Sequence, residues 1–270
     1  MSDVYIVYDL SSEIMKQEAV SISKDIPGSK NILIGNPIND DKEDSIIIAI
    51  GDTAVEYSIL ERNNSCIIAT YIPRINYYKL IKKYSLLSSN DITAIFIDPS
   101  VNYQLELIKQ LYPHNPSAIT FVGQEYEFIR KGLEESSKEQ GVSLEIIDYL
   151  NDRLMFKRIA SERRASALLT IADANIFNIN NFRSVLEVSY SSGIGVIGYS
   201  ESMVKAGSVG SAYIDFHDEK EKIFKTVDVV REKGCFSMPE SPERTKILIN
   251  TKVLKSFGHI SKSQEKIREE

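Results

Sequence analysis

The stretch Ser45-Ile46-Ile47-Ile48-Ala49-Ile50-Gly51-Asp52-Thr53-Ala54 passes from five consecutive apolar residues straight into a glycine and two polar residues. The β-branched run reads as a strand, Gly51 permits a close strand-to-helix turn, and Asp52 and Thr53 are residue types favoured where helices begin. The same pattern repeats on either side. Runs at 4–8, 31–34, 66–70 and 93–97 also read as strands, and segments 12–24, 53–62, 75–84 and 103–111 carry apolar residues near helical spacing. Short strands alternating with longer helices specify a parallel sheet with crossover helices, one doubly wound α/β unit.

The pattern then starts again, with strands at 118–122, 144–147, 167–171 and 195–198 and helical stretches around 125–140, 156–163 and 180–189. Pro113 and Pro116 bracket the join, because Pro ends helices and biases its predecessor toward extended structure. Beyond Gly198 lie an extended stretch at 208–215, a helix at 219–232, a strand at 246–249 and a short helix at 251–257. A simple tandem of two units would not need them. They suit a chain that crosses back between lobes, near Pro113, Asp215 and Glu240.

At 270 residues, 43% of them hydrophobic and 26% charged, the chain is long enough for two ordinary domains with sizeable cores. Its net charge of −6 includes no basic block of the kind that follows a phosphate backbone, so nucleic acid is not an expected partner. The longest apolar run, Ile46–Ile50, is far shorter than the ~20 residues of a membrane helix. Cys66 lies in a strand-like run and Cys235 in a loop-like stretch, which neither requires nor excludes a disulfide; two free thiols are expected.

In parallel α/β sheets ligands sit at the carboxyl ends of strands, and here those ends are polar. They are Asp9-Leu10-Ser11-Ser12, Gly51-Asp52-Thr53-Ala54, Thr70-Tyr71-Ile72-Pro73-Arg74 and Asp98-Pro99-Ser100 in the first unit. In the second they are Gly123-Gln124-Glu125-Tyr126, Ala172-Asp173-Ala174-Asn175 and Tyr199-Ser200-Glu201-Ser202. Asp, Ser and Thr at such places serve as helix N-caps, and the same helix starts offer N–H groups to a ligand anion. The candidate ligand-binding residues are Ser11, Asp52, Thr53, Thr70, Tyr71, Asp98, Gln124, Asp173, Asn175, Ser200 and Glu201. No phosphate-binding glycine loop, nucleophile elbow or metal-ligand spacing occurs, and His114, His217 and His259 are far apart, so no cofactor or metal is expected.

Several passages in order resemble the substrate-binding proteins of ABC transporters, in particular the tryptophan- and tyrosine-uptake-like members with the type I periplasmic binding fold. They are Ile48-Ala49-Ile50-Gly51-Asp52-Thr53-Ala54, Gln104-Leu105-Glu106-Leu107-Ile108-Lys109-Gln110-Leu111-Tyr112-Pro113, and Asp173 within Leu169-Thr170-Ile171-Ala172-Asp173. Gly195-Val196-Ile197-Gly198-Tyr199-Ser200, Val204-Lys205-Ala206-Gly207-Ser208 and Ile249-Asn250-Thr251-Lys252-Val253-Leu254 continue the series, over roughly residues 45–258. The turn Thr70-Tyr71-Ile72-Pro73-Arg74 departs from the smaller Asp-Pro turn of transport members and is closer to envelope proteins with no settled ligand.

The resemblance implies two Rossmann-like lobes joined by a hinge, residues 1–113 plus 217–238 and 114–216 plus 239–258, with 259–270 as a tail. It implies a monomer that holds a small molecule between its lobes, by the loops after Asp52, Thr70, Asp98, Gln124, Asp173 and Ser200, and that offers it to an ABC permease. It also implies work outside the cytoplasmic membrane, with an export signal or lipid-attachment Cys encoded upstream of Asp3. Two rivals remain: an enzyme using Asp52, Asp98 and Asp173 as acids or bases, and a ligand-sensing protein without a transport role.

Overall fold

The computed structural model describes residues 3–10, 12–39, 45–242 and 244–257, so Ser11 and the tail lie outside the described residues. In chain order the elements are β1 (Val4–Tyr8), α1 (Glu13–Asp25), β2 (Lys30–Leu33), β3 (Ile46–Ile50), α2 (Asp52–Glu61), β4 (Cys66–Ile72), α3 (Arg74–Lys83) and β5 (Ile92–Phe96). Next come α4 (Val101–Leu111), β6 (Ser117–Gly123), α5 (Glu127–Gln140), β7 (Ser143–Tyr149), α6 (Asp152–Ser161), β8 (Ala167–Leu169), α7 (Phe182–Ser191), β9 (Gly195–Gly198), α8 (Glu201–Ala206) and β10 (Gly210–Tyr213). Helix α9 (Phe216–Lys233), β11 (Lys246–Ile249) and α10 (Thr251–Ser256) complete the order.

The chain divides into two compact units, each made of two separate stretches: Met1–Asp98 with Ile214–Arg244, and Pro99–Tyr213 with Thr245–Glu270. The first unit carries a five-stranded sheet in the order β2-β1-β3-β4-β5. Its strands are parallel, with Val4 beside Ile46, Ile46 beside Cys66 and Ile67 beside Ile92. The unbroken apolar run of β3 follows from cover on both faces. Ile46, Ile48 and Ile50 pack with Ile22 of α1 and with Ile223, Val227 and Val230 of α9, while Ile47 and Ala49 pack with Val55 of α2 and Tyr77 and Ile81 of α3.

Helix α9 thus returns to the first sheet after the chain has built most of the second. The segment behind it is fastened twice. Cys66, the first residue of β4, forms a disulfide with Cys235 across 169 residues of sequence, which corrects the expectation of two free thiols. The reason is tertiary: Cys66 belongs to the core cluster that α9 covers, and Cys235 and Phe236, just past the end of that helix, pack on the same cluster. Farther along, Glu240 accepts from Phe96 N and donates to Ala94 O, both at 3.0 Å, so the segment adds a short parallel bridge to the edge of β5.

The second unit carries a six-stranded sheet in the order β11-β10-β9-β8-β6-β7. Its strands are parallel except β11, which runs antiparallel to β10 with Gly210 opposite Ile249. Ile119, Phe121, Leu168 and Val196 form a core with Met155 and Ile159 of α6 and Phe182, Val185 and Leu186 of α7. Helix α4 packs on this sheet, against β6, β9 and β10, burying Gln104, Leu105, Leu107, Ile108 and Leu111. The first crossing therefore falls after Asp98, ahead of the position near Pro113 that the prolines suggest.

Candidate functional site

Each sheet reverses its winding once. In the first, β1 leads outward to β2 while β3 starts the opposite side, and in the second β6 leads to β7 while β8 starts the opposite side. Ligands of open α/β sheets sit at such switch points, outside the carboxyl ends of the two strands that flank them. The residues to weigh are therefore those after β1 and β3 in the first unit and those after β6 and β8 in the second.

In the first unit β3 ends at Gly51, whose φ of 84° is one that residues with a Cβ rarely adopt. Gly51 is also the N-cap of α2 and supplies no side-chain cap, so the first N–H groups of α2 receive none from it. Thr53 is exposed in that first turn, and Asp52 accepts a hydrogen bond from Asn76 Nδ2 at 2.6 Å. Farther along the same edge, Thr70 and Tyr71 are buried. The Thr70 hydroxyl and the Tyr71 N–H donate to Glu219 Oε1 at 3.0 and 2.9 Å, and the Tyr71 hydroxyl donates to Glu18 at 2.8 Å.

Asp98 lies at the end of β5, away from the switch point. Its Oδ1 accepts the Arg74 N–H at 2.6 Å, closing the start of α3, and Arg74 Nη2 donates to Ser241 Oγ at 2.9 Å. The Ser241 hydroxyl donates to Asp98 O at 3.0 Å, and the Arg74 guanidinium lies 4.3 Å over the Phe96 ring. Burial pushes the Asp98 carboxyl above its usual range, and Arg74 opposes that rise.

In the second unit β6 ends at Gly123, where a Cβ would lie 2.8 Å from the Tyr126 ring; only glycine lets that ring fold back over the strand end. Asp173, reached from β8, is 1% exposed. Its Oδ1 accepts from Asn175 N at 3.0 Å, and its carbonyl oxygen accepts from the N–H groups of Ile176 and Phe177, so it organises the turn that follows. Burial raises the pKa of the Tyr126 hydroxyl, with added contributions from its hydrogen bond to Glu125 and from the Asp173 charge. Tyr149, at the end of β7, donates to Asp152 at 2.8 Å and is pushed up to about 12 by burial, by Asp152 and by Asp173. A buried carboxylate thus stands near two tyrosines at the second switch point.

The other candidates have local partners. Gln124 Nε2 donates to Asp148 at 3.0 Å, beside an ion pair of Asp148 with Arg130. Ser200 caps α8 by accepting from Met203 N, and Glu201 pairs with Lys205 at 2.8 Å. Asn175 is exposed. Among the described residues no group of three or more His, Cys, Asp or Glu could hold a metal ion, and no helix is long and apolar enough to cross a membrane.

Two positioning residues do not stand out in the sequence. Gln104 is buried on α4, and its Nε2 donates to Thr170 O at 3.0 Å and Gly198 O at 2.9 Å, joining the ends of β8 and β9. The signal is faint: one amide inside an otherwise apolar helix face. Glu219 sits in the charged run His217-Asp218-Glu219-Lys220-Glu221-Lys222, where nothing in the sequence sets it apart from its neighbours.

No family profile matches the sequence, and no curated protein matches it. Solved structures do. A ligand-free, open substrate-binding protein with adhesive properties from Clostridium difficile is 14% identical with a TM-score of 0.67, over 98% of this chain and 97% of that one. An ABC domain in complex with L-Trp from Streptococcus pneumonia is 16% identical with a TM-score of 0.66, over 98% of both chains. A LacI-family transcription regulator from Clostridium acetobutylicum is 13% identical with a TM-score of 0.52, over 93% of this chain and all of that one. The fold is that of the type I periplasmic binding proteins, with two α/β lobes.

Proposed function

We propose that the chain is a solute-binding protein that captures a small molecule between its two lobes, works outside the cytoplasm and hands its ligand to an ABC-type permease. The reading is carried by Asp173, a buried carboxylate at the switch point of the second sheet with Tyr126 and Tyr149 near it. A carboxylate shielded from water with tyrosine hydroxyls near it suits an ammonium group. At the switch point of the first sheet, the uncapped start of α2 with the Thr53 hydroxyl suits a carboxylate. An amino acid or related zwitterion offers both.

Such a ligand makes more contacts when both lobes touch it, so its binding favours the closed form, and the permease reads that closure. No chemical step is part of the cycle. The Cys66–Cys235 disulfide supports a place outside the reducing cytoplasm, where such bonds persist. The likeness to a LacI-family regulator supports a second reading, a ligand sensor without a transport role; a permease gene beside this one favours transport over sensing.

Mass spectrometry of small molecules released from freshly purified protein tests the proposal. A zwitterionic amine released in near-stoichiometric amount is the expected result. A sugar, or a metal-dependent turnover product, contradicts it.

A further inference from the structure

Gln104 is 3% exposed on α4, in company with Leu105, Leu107 and Ile108 on the buried face of that helix. Both hydrogens of its side-chain amide are used: Nε2 donates to Thr170 O at 3.0 Å and to Gly198 O at 2.9 Å. Two carbonyl acceptors fix which end of the amide faces the sheet.

The ladder between β8 and β9 runs up to this point. Gly195 N donates to Ser166 O at 3.1 Å, and the N–H and hydroxyl of Thr170 both donate to Ile197 O, at 3.0 and 2.9 Å. Bonds between parallel strands are evenly spaced, which would next pair Tyr199 N with Thr170 O. The Tyr199 N–H donates instead to Met203 Sδ at 3.5 Å, and Thr170 O takes the Gln104 amide. A side chain from α4 thus stands where the next rung would be.

The path from that carbonyl to Asp173 is short and tight. Asp173 N donates to Ile171 O at 2.8 Å, and Asp173 O accepts from Ile176 N and Phe177 N at 3.0 and 2.9 Å. With so few free torsions between them, the Thr170 carbonyl sets where the Asp173 carboxyl stands. Helix α4 is also the element by which the chain enters the second unit after Asp98, so this support comes from the helix next to the first crossing.

We propose that Gln104 is a positioning residue for the candidate ligand site: its amide ends the ladder between β8 and β9 and fixes the turn that carries Asp173. The inference rests on the reading of Asp173 as a ligand anchor and adds the residue that holds the anchor in place. Glutamine suits the position because two carbonyls need two N–H donors. A carboxylate of the same shape has none, and methionine fills the space without bonding either carbonyl.

The test is amide hydrogen exchange of the ligand-free full chain, followed residue by residue by NMR, in the unaltered protein and in Gln104→Met. The Ile176 and Phe177 amides, which bond Asp173 rather than Gln104, should exchange at least about 10-fold faster in the variant while the amides of β6 and β7 keep their rates, the effect of leaving two buried carbonyls without their donor. The Asp173 carboxyl carbon resonance should shift in the variant, and that of Asp148, held by Gln124 and Arg130, should not. A uniform gain at all these amides, as when α4 merely supports the unit, overturns the proposal, and so does unchanged exchange at Ile176 and Phe177. In the unaltered protein the Gln104 side-chain protons should open with the same denaturant dependence as the Ile176 and Phe177 amides, which needs no variant; a different dependence, or exchange as fast as in an exposed glutamine, contradicts it. No ligand enters this test, so its failure counts against Gln104 alone, whereas failure to recover a small molecule from the protein counts against the binding proposal alone.

Discussion

The backbone N–H of Arg74 reaches Oδ1 of Asp98 at 2.6 Å, so a carboxylate at the end of β5 closes the first turn of helix α3. The Arg74 side chain goes on to Ser241, which lies in the segment that returns after α9. One arginine therefore joins α3, the end of β5 and the returning segment at one edge of the first unit.

Replacing Asp98 with Ala should lower unfolding stability by about 1–2 kcal/mol, the usual cost of a lost helix cap. Arg74→Ala should cost a similar amount, because it leaves Asp98 with little to offset its burial and uncovers Phe96. Urea unfolding of the ligand-free chain measures both. Unchanged stability in Asp98→Ala would mean that this contact holds nothing together.

The architecture was largely legible, because strand and helix patterns are local. The five isoleucine and alanine positions of β3 announce a buried strand, and 195–198 and 246–249 appear as strands with the same bounds in sequence and structure. Contacts across long sequence separations were not legible. Nothing local to Gln104 says that its amide will bridge β8 and β9, and nothing local to Cys66 names Cys235 as its partner. The switch-point residues around Asp52 and Asp173 were visible as polar strand ends. Their separation from residues such as Ser200, which caps its own helix, required the strand order.

Thiol labelling of the purified chain should find no free cysteine until reductant is added, since Cys66 and Cys235 are paired. Replacing both with Ser removes the constraint on a long loop and should cost about 2–5 kcal/mol. The loss should appear as a lower urea midpoint. Two reactive thiols in the native protein would contradict the pairing.

Glu162 should make stability depend on acid pH. It is 4% exposed, and burial alone would raise its pKa. The N–H groups of Arg163, Arg164 and Ala165 on Oε1, together with Arg158 on Oε2, outweigh that and hold it at about 2. A carboxyl whose folded pKa is lowered contributes stability in full above its unfolded value, and the contribution fades as pH falls through its folded value. Glu162→Gln should therefore lose roughly 2–3 kcal/mol at neutral pH and much less near pH 2, as read by denaturant unfolding at several pH values. An equal loss at both ends would assign the effect to packing.

The central claim is that Asp173 anchors a bound small molecule. Titration calorimetry tests it most directly, using the compound released from the purified protein and the chain stripped of it. The unaltered protein should bind one equivalent, and Asp173→Asn should bind about 10- to 100-fold more weakly, the effect of leaving a buried cationic partner unmatched. Equal affinity in the two proteins, or no compound that binds either, would contradict the account.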